Sequence, residues 1–333
     1  MKALVVRERR PIEEKPLEWV DLPVPEPGPG EVLVQVRACG VCRTDLHVVE
    51  GDLPPVRQAV VPGHQVVGTV AALGAKTSRF KLGDRVGIAW LRSTCGRCSY
   101  CSRGQENLCP EARFTGYHVD GGYAEYAVVP EQFAYPIPAT LGDAEATPLL
   151  CAGIIGYRAL RRAETRPGAN LGLYGFGSSA HIAIQVARHW GCKVYVMTRE
   201  RKHRELALQL GAAWVGEATQ RPPVPLQSAI VFAPAGDIVP CALEALDRGG
   251  TVAIAGIYLT DVPPLHYERH LFYEKNLRSV TANTRADGEE MLALAAQIPI
   301  RPRTTVFSLA EANEVLRRLK HDGLEGTGVL LVD

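Results

Sequence analysis

The spacing of apolar positions changes about 150 residues into the chain. Before that point, short segments rich in Val and Tyr alternate with turns of Gly, Pro and Asp, as in VLVQVRA and YAEYAVV. This pattern predicts β-strands. The four prolines of DLPVPEPGPGE exclude a helix there and predict an extended connector. The first part of the chain is therefore expected to form a β-rich domain.

From about residue 152, apolar strands alternate with helical segments. LGLYGFG ends in glycines, and SSAHIAIQVARHW after it repeats apolar residues at the spacing of one helix face. CKVYVMT predicts the next strand and RKHRELALQLGA the next helix, with Gly211 as its C-terminal stop. Repeated strand–helix units predict a parallel sheet with helices on both faces, and hence an α/β domain.

Composition and charge narrow the range of functions. The 333 residues are 46% hydrophobic and 22% charged, with 37 Lys and Arg against 36 Asp and Glu. This length fits two domains, and the balanced charge argues against nucleic-acid and membrane-surface partners. The start, MKALVVRERR, lacks the apolar run of a signal peptide, and no apolar stretch reaches membrane-spanning length. We therefore expect a cytoplasmic protein with reduced cysteines.

Four of the nine cysteines lie close together, in CGRCSYCSRGQENLC. The spacing C-x2-C-x2-C-x7-C is typical of a metal site, and four thiolates suit a tetrahedral zinc ion. An iron–sulfur cluster is the alternative. Four protein ligands leave no open position for a substrate, so this metal is expected to be structural. The ligands are Cys95, Cys98, Cys101 and Cys109.

Three other segments contain the residues on which catalysis is expected to depend. They are CGVCRTDLH, VPGHQVVG and PLLCAGIIGYRAL. With these motifs in order and the four-cysteine loop between them, the chain resembles medium-chain zinc-dependent alcohol dehydrogenases over nearly its whole length. The resemblance implies interconversion of primary or secondary alcohols and aldehydes or ketones by hydride transfer with NAD(P). It also implies a homodimer or homotetramer.

The same resemblance implies the domain organisation. Residues 1–151 would form a GroES-like β-rich catalytic domain that holds both metal sites. Residues 152–281 would form a Rossmann domain, a doubly wound parallel sheet that binds the cofactor. Residues 282–333 would return to the catalytic domain.

The resemblance also implies a second, catalytic zinc ion. The family motifs place its three ligands at Cys42, His64 and Cys151. Three protein ligands leave the fourth position to water or substrate, as a catalytic zinc requires. Such an ion acts as a Lewis acid on a bound alcohol. Two zinc ions per chain are therefore expected.

Other residues of these segments have implied roles around the catalytic ion. Thr44 would receive the alcohol proton, His47 would pass it to solvent, and Asp45 would orient the ligand histidine. Trp90 and Tyr117 fall where the family lines its substrate pocket, although both could be ordinary core aromatics.

One residue departs from the family pattern. Gln65 follows the ligand histidine, where the resemblance implies a glutamate. Glutamine keeps an amide oxygen but lacks the negative charge, which leaves the zinc site one charge more positive. The change keeps open a different class of function, a catalytically silent sensor that binds zinc and nucleotide. Within the enzyme class, a cinnamyl-type aldehyde reductase and a polyol dehydrogenase remain alternatives.

A cofactor loop is expected in the second domain. GFGSSA follows a strand and opens a helix, the context in which G-x-G-x-x-[GA] binds a dinucleotide pyrophosphate. The loop consists of Gly175, Phe176, Gly177, Ser178, Ser179 and Ala180. The resemblance adds further cofactor contacts at Arg43, Gly256, Ile257, Asn283 and Arg285.

The second strand of this domain lacks the acidic residue that ends it in NAD-binding members. Thr198 occupies that position, Arg199 follows, and Lys202 lies at the start of the next helix. A hydroxyl and basic groups can bind a 2′-phosphate, although the basic groups could also form a solvated helix face. The sequence therefore predicts NADP(H) in preference to NAD(H).

Overall fold

The computed structural model describes residues 1–256 and 258–332. The chain divides into two compact units. The first unit contains residues 1–151 and the C-terminal segment from Ala282, and the second contains Ala152–Thr281. Within the described residues, no helix is long and apolar enough to cross a membrane.

The regular structure consists of strands and helices in similar proportion. In chain order, the strands are β1 (Lys2–Val6), β2 (Leu17–Asp21), β3 (Glu31–Gly40), β4 (Gln65–Leu73), β5 (Arg85–Ile88), β6 (Leu91–Ser93), β7 (Arg113–Phe114), β8 (Tyr126–Pro130), β9 (Ala134–Pro136), β10 (Asn170–Tyr174), β11 (Lys193–Met197), β12 (Trp214–Gly216), β13 (Leu226–Val231), β14 (Leu246–Ile254), β15 (Asn276–Ser279), β16 (Thr304–Ser308) and β17 (Thr327–Leu331). The helices are α1 (Arg43–Glu50), α2 (Asp143–Ala146), α3 (Ala152–Arg162), α4 (Ser178–His189), α5 (Arg201–Gln209), α6 (Ile238–Ala245), α7 (Tyr267–His270), α8 (Arg285–Gln297) and α9 (Ala312–Lys320).

The first unit is built on a sheet in the order β16-β17-β3-β4-β5-β9, with β8 also paired to β3. All pairs are antiparallel except β16 with β17. Strands β3 and β4 approach each other closely at Gly68. A Cβ at this position would lie 2.1 Å from the carbonyl oxygen of Gln35, so a larger side chain does not fit there. In this register Gly40, which ends β3, lies opposite Gln65, which begins β4. The residues just after β3 and just before β4 therefore lie close together, at the same end of these two strands.

The second unit contains a six-stranded sheet in the order β12-β11-β10-β13-β14-β15. Every pair is parallel. The strand order reverses between β10 and β13, and such a reversal creates the crevice in which α/β sheets bind nucleotides. The predicted stop of α5 is confirmed, since Gly211 follows it with a φ of +85°. The predicted fold class, a β-rich domain and a parallel-sheet α/β domain, is also confirmed.

Candidate active site

Three elements of the first unit bring the predicted catalytic ligands together. Cys42 follows β3 and caps the N-terminus of α1, where its sulfur accepts a hydrogen bond from the backbone N–H of Thr44. His64 immediately precedes β4. Cys151 follows a 3-10 helix, Thr147–Leu150. The Leu150 side chain packs against Gly87 of β5, in the space that a Cβ at Gly87 would need.

The geometry of these three side chains fits one zinc ion. Their ligand atoms lie within 4.8 Å of one another, and the sulfurs of Cys42 and Cys151 are 3.9 Å apart. Tetrahedral zinc with Zn–S bonds of about 2.3 Å requires sulfurs about 3.8 Å apart. The buried Nε2 of His64 has no hydrogen-bond partner among the described residues. A metal ion would satisfy this nitrogen, which is otherwise costly to bury.

Asp45 fixes the orientation of the ligand histidine. Its Oδ1 accepts hydrogen bonds from His64 Nδ1 at 2.8 Å and from the backbone N–H of Gly63 at 3.2 Å. Its Oδ2 accepts from the backbone N–H of Cys42 at 2.9 Å, which caps α1. With Nδ1 donating to a carboxylate, Nε2 is the nitrogen left to ligate a metal. One buried carboxylate therefore positions two of the three ligands.

Nearby charges and hydrogen bonds shift the pKa values of these three side chains. Burial lowers the pKa of His64, but the charge of Asp45 and the hydrogen bond to it outweigh burial and raise the pKa to about 10. The hydrogen bond from Cys151 holds the pKa of Cys42 well below its usual range, and the same contact raises the pKa of Cys151. A zinc ion must displace protons from His64 and Cys151, so zinc binds more tightly as the pH rises.

The other predicted catalytic side chains lie on α1. Thr44 is buried, and its hydroxyl is 3.6 Å from the sulfur of Cys42. His47 lies in the last turn of the helix, with Nδ1 2.7 Å from Oδ2 of Asp52. Arg43 is half-exposed and forms an ion pair with Asp322 at 2.9 Å. One short helix therefore contains each of these groups, and its N-cap, Cys42, is one of the three candidate zinc ligands.

An aromatic stack begins at the ligand histidine. The Trp90 ring lies 5.0 Å from that of His64, edge to face, and stacks on Phe114 at 5.0 Å and Tyr117 at 6.0 Å. The Tyr117 hydroxyl donates to the carbonyl of Pro54 at 2.5 Å. Phe114 was not predicted from the sequence, because it reaches Trp90 only through the pairing of β6 with β7. Trp90 therefore links the ligand histidine to two further aromatic rings.

Gln65 lies directly behind this pocket. It is fully buried, and its Oε1 has no hydrogen-bond partner among the described residues. Gly40 makes room for it, since a Cβ there would be 3.1 Å from three atoms of the Gln65 side chain. An unpaired buried acceptor costs about 1–3 kcal/mol. The chain therefore maintains a neutral acceptor at this position in place of a carboxylate.

The four cysteines of the loop form a separate cluster in the first unit, which could hold a metal ion. Its ligand atoms all lie within 4.8 Å of one another, with sulfur–sulfur distances of 3.5 Å for Cys98 and Cys101 and 3.6 Å for Cys95 and Cys109. These distances exclude disulfides, whose sulfurs are about 2.05 Å apart. They fit a single tetrahedral ion, whereas the sulfurs around a cluster bind separate iron atoms and lie farther apart.

The glycine loop of the second unit has the shape of a phosphate-binding turn. Gly175 follows β10 with a φ of +86°, and a Cβ there would be 2.8 Å from the backbone nitrogen of Ala233. A Cβ at Gly177, the N-cap of α4, would have open space around it, so the backbone can be approached closely. Ser178 and Ser179 begin the helix, whose free N–H groups favour an anion. Phe176 and Ala180 are buried beneath the turn.

The end of β11 lies beside that turn. The backbone N–H of Gly175 donates to the carbonyl of Met197 at 2.8 Å, which brings Thr198 next to the glycine loop. Arg199 and Lys202 are exposed. Arg204, which sequence reasoning missed, donates from Nη1 to the carbonyls of Thr198 and Arg199 at 2.8 and 2.9 Å. It therefore holds the segment that follows β11 in place.

The remaining predicted cofactor residues are dispersed. Gly256 follows β14, and Ile257 lies outside the described residues. Asn283 is buried in the first unit and donates to the carbonyl of Thr284 at 3.0 Å. Arg285, also in the first unit, donates from its backbone N–H and Nε to Glu106 of the four-cysteine loop at 3.0 and 3.2 Å. The cofactor roles of these residues stay predictions.

Comparison with known proteins identifies the family. Residues 28–139 match the model of the alcohol dehydrogenase GroES-like domain, and residues 180–297 match that of the zinc-binding dehydrogenases. A probable alcohol dehydrogenase of Mycobacterium tuberculosis is 56% identical over 100% of this chain and 97% of its own. An alcohol dehydrogenase of Geobacillus stearothermophilus is 38% identical over 99% of this chain and 98% of its own.

Solved structures agree with this assignment. A cinnamyl alcohol dehydrogenase from Sorghum bicolor superposes with a TM-score of 0.90 at 27% identity, over 99% of this chain and 96% of its own. An alcohol dehydrogenase from Pyrobaculum aerophilum gives a TM-score of 0.89 at 26% identity, over 100% and 99% of the two chains. The predicted family is therefore confirmed: the chain belongs to the medium-chain zinc-dependent alcohol dehydrogenases and is an NAD(P)-dependent oxidoreductase.

Proposed function

We propose that this enzyme interconverts primary or secondary alcohols and aldehydes or ketones with NADP(H), and that Cys42, His64 and Cys151 hold its catalytic zinc. The observation that carries the proposal is the buried set of three ligand atoms within 4.8 Å, one of them the unpartnered Nε2 of His64. Zinc bound there supplies a Lewis acid that makes an alcohol hydroxyl more acidic.

The chain's own residues then handle the proton and the substrate. Oxidation of an alcohol transfers a hydride from the carbinol carbon to NADP⁺ and releases the hydroxyl proton. Thr44, buried beside the sulfur of Cys42, is the hydroxyl that takes this proton and passes another outward. His47, farther along α1 and only partly buried, passes it to solvent. In the reverse direction the same groups return a proton to the carbonyl oxygen.

The aromatic stack favours substrates with an apolar or aromatic substituent. The rings of Trp90, Phe114 and Tyr117 start at the ligand histidine, so a substrate bound at the metal would lie against them. This surface supports a second candidate function, the reduction of cinnamyl-type aldehydes. The Sorghum bicolor relative is itself a cinnamyl alcohol dehydrogenase. Aromatic rings suit a polyol less well, because the hydroxyl groups of a polyol would lack partners there.

Activity and metal content together test the proposal. The purified enzyme should contain about two zinc ions per chain and oxidise propanol or benzyl alcohol. Aldehydes, including cinnamaldehyde, should be reduced with NADPH. The matched measurements with NADH and with a polyol separate the candidate functions. A protein that binds nucleotide but gives no turnover with any of these substrates would be the silent sensor, and the enzyme proposal would be wrong.

We further propose that NADPH is preferred over NADH, and that Arg199 binds the 2′-phosphate. The support is Thr198 in place of a carboxylate, beside the glycine loop, in a segment that Arg204 anchors. Because a charged hydrogen bond is worth about 1.5–3 kcal/mol, Arg199→Ala should lower kcat/KM for NADPH by about 10- to 100-fold. The value for NADH should hardly change, since NADH lacks that phosphate.

Arg201→Ala is the matched control for this prediction. The Arg201 side chain is 87% exposed and paired with Glu205 on the same helix, so its removal changes the local charge without removing a phosphate ligand. Steady-state kinetics gives kcat/KM for NADPH and for NADH in wild type, Arg199→Ala and Arg201→Ala. A wild-type preference for NADH, or equal losses in the two variants, would contradict the assignment.

We also propose that the enzyme is a cytoplasmic homodimer or homotetramer. Among the described residues, β15 has a neighbouring strand on one side only, and Tyr267, Phe272 and Tyr273 before it are exposed. An edge strand with adjacent apolar rings suits pairing with a second copy about a two-fold axis. The nine cysteines, all free thiols, support a reducing compartment.

A further inference from the structure

The three rings of the aromatic stack are held in different ways. Phe114 lies in β7, and the backbone N–H of Thr115 donates to the carbonyl of Trp90 at 2.9 Å, so these two rings start from paired backbone segments. Tyr117 lies in the turn that follows. Its hydroxyl donates to the carbonyl of Pro54 at 2.5 Å. The position of the Tyr117 ring therefore depends on the segment to which Pro54 belongs.

The segment around Pro54 is anchored on both sides of that residue. Before it, the backbone N–H of Leu53 donates to the carbonyl of His47 on α1 at 3.3 Å. After it, the guanidinium of Arg9 donates from Nη2 to the carbonyl of Arg57 at 2.8 Å. Because the backbone is fixed at both points, this segment provides a firm support for the turn that contains the third ring.

A second contact joins the same two segments. Nη1 of Arg57 donates to Oδ1 of Asp120 at 3.1 Å, and the backbone N–H of Val61 donates to the same oxygen at 3.0 Å. On each segment the two contact residues are three positions apart, so the contacts close a ring between the segments. We propose that the Arg57–Asp120 ion pair positions Tyr117, and thereby sets the preference for alcohols whose aromatic substituent reaches that ring. The inference rests on the proposed reaction at the zinc.

Distances along the stack indicate which substrates should depend on this ion pair. The Trp90 ring lies 5.0 Å from that of His64, and Tyr117 lies one ring farther out, 6.0 Å from Trp90. Propanol bound at the metal would contact only the inner part of the stack. Cinnamyl alcohol extends farther, because two carbon atoms separate its phenyl ring from the carbinol carbon. Loosening Tyr117 should therefore weaken the binding of cinnamyl alcohol selectively.

The exposure of the ion pair determines the size of the expected effect. The side chains of Arg57 and Asp120 are 40% and 49% exposed, and ion pairs at such positions are modest in strength and are screened by salt. The hydrogen bond from Val61 to Asp120 remains when Arg57 is replaced. Loss of Arg57 should therefore have a moderate, salt-dependent effect, and loss of Asp120 a larger one.

The test is steady-state oxidation of cinnamyl alcohol and propanol by the zinc-loaded, full-length enzyme at saturating NADP⁺. Arg57→Gln should raise KM for cinnamyl alcohol about 3-fold, and Asp120→Ala about 10-fold, while KM for propanol should hardly change. About 0.5 M salt should raise the cinnamyl-to-propanol KM ratio of wild type but not that of Arg57→Gln. Tyr117→Phe keeps the ring but loses the bond to Pro54, so its effect should not add to that of Arg57→Gln.

Glu18→Gln is the matched control. It breaks the ion pair of Glu18 with Arg7, which has a similar length of 3.0 Å and similar exposures of 43% and 53%, and it should leave the KM ratio at the wild-type value. Equal changes in KM for both alcohols, or additive effects of Tyr117→Phe and Arg57→Gln, would mean that the Arg57–Asp120 pair only stabilises the fold. If wild type oxidises neither alcohol, the proposed function is wrong and the inference falls with it. If wild type oxidises both but Arg57→Gln keeps the wild-type ratio, the role of the ion pair is wrong while the proposed function stands.

Discussion

Replacing His64 with alanine should lower kcat/KM for alcohol oxidation by more than about 1000-fold, because a metal contributes several kcal/mol to the transition state. The variant should also lose one zinc ion per chain, since Cys42 and Cys151 alone leave two coordination positions without a protein ligand. NADPH binding should persist, because His64 belongs to the first unit and the glycine loop to the second. Metal analysis, fluorescence titration with NADPH and steady-state kinetics measure these three effects.

Asp45→Asn provides the matched control for the loss of His64. The asparagine amide oxygen can still accept the hydrogen bond from His64 Nδ1, but the negative charge of the Asp45 carboxylate is lost. Loss of such a supporting contact weakens metal binding by about 10- to 100-fold. Added zinc should therefore restore much of the activity of Asp45→Asn and none of that of His64→Ala. Wild-type turnover with two bound zinc ions in His64→Ala would show that the catalytic metal has other ligands.

Cys42, His64 and Cys151 were expected to be zinc ligands from their resemblance to family motifs, and the structure brings the three side chains together. Cys42 and His64 flank strands whose pairing follows from their apolar pattern, so the sheet brings the two together. The proximity of Cys151 to these two residues has no such basis in the strand pattern. Nothing in its local sequence shows that the preceding 3-10 helix packs Leu150 onto Gly87 of β5. The position of the third ligand is a result of tertiary packing.

Contacts between distant segments were beyond prediction for the same physical reason. Phe114 joins the aromatic stack through a two-residue strand, β7, too short to give a periodic signal. Arg204, in the first turn of α5, donates to the carbonyls of Thr198 and Arg199, which precede the helix. The charge pattern of α5 does not predict this contact. Arg285 was predicted to contact the cofactor, and the structure adds a partner 179 residues away, Glu106. Motifs therefore identify functional positions better than they identify the partners of those positions.

Glu106 also connects the four-cysteine loop to the rest of the first unit. It is buried and accepts from the backbone and side chain of Arg285 at the start of α8. Among the described residues, the helical structure of this loop consists of two single 3-10 turns, Cys101–Arg103 and Glu106–Leu108. Short turns without a packed apolar face do not hold their shape alone. We therefore expect the loop to depend on a bound metal for its shape.

Cys109→Ser should consequently lower the melting temperature by at least about 10 °C, since a structural zinc site contributes several kcal/mol and each kcal/mol shifts Tm by about 2–4 °C in a chain of this size. One zinc ion per chain should remain, because the catalytic ligands lie outside the loop. Turnover at low temperature should be largely retained. Calorimetry, metal analysis and kinetics at 15 and 45 °C measure these effects.

Cys241→Ser is the matched control, since that partly exposed thiol belongs to neither metal set. An unchanged Tm together with lost turnover in Cys109→Ser would mean that the four-cysteine metal is catalytic and not structural.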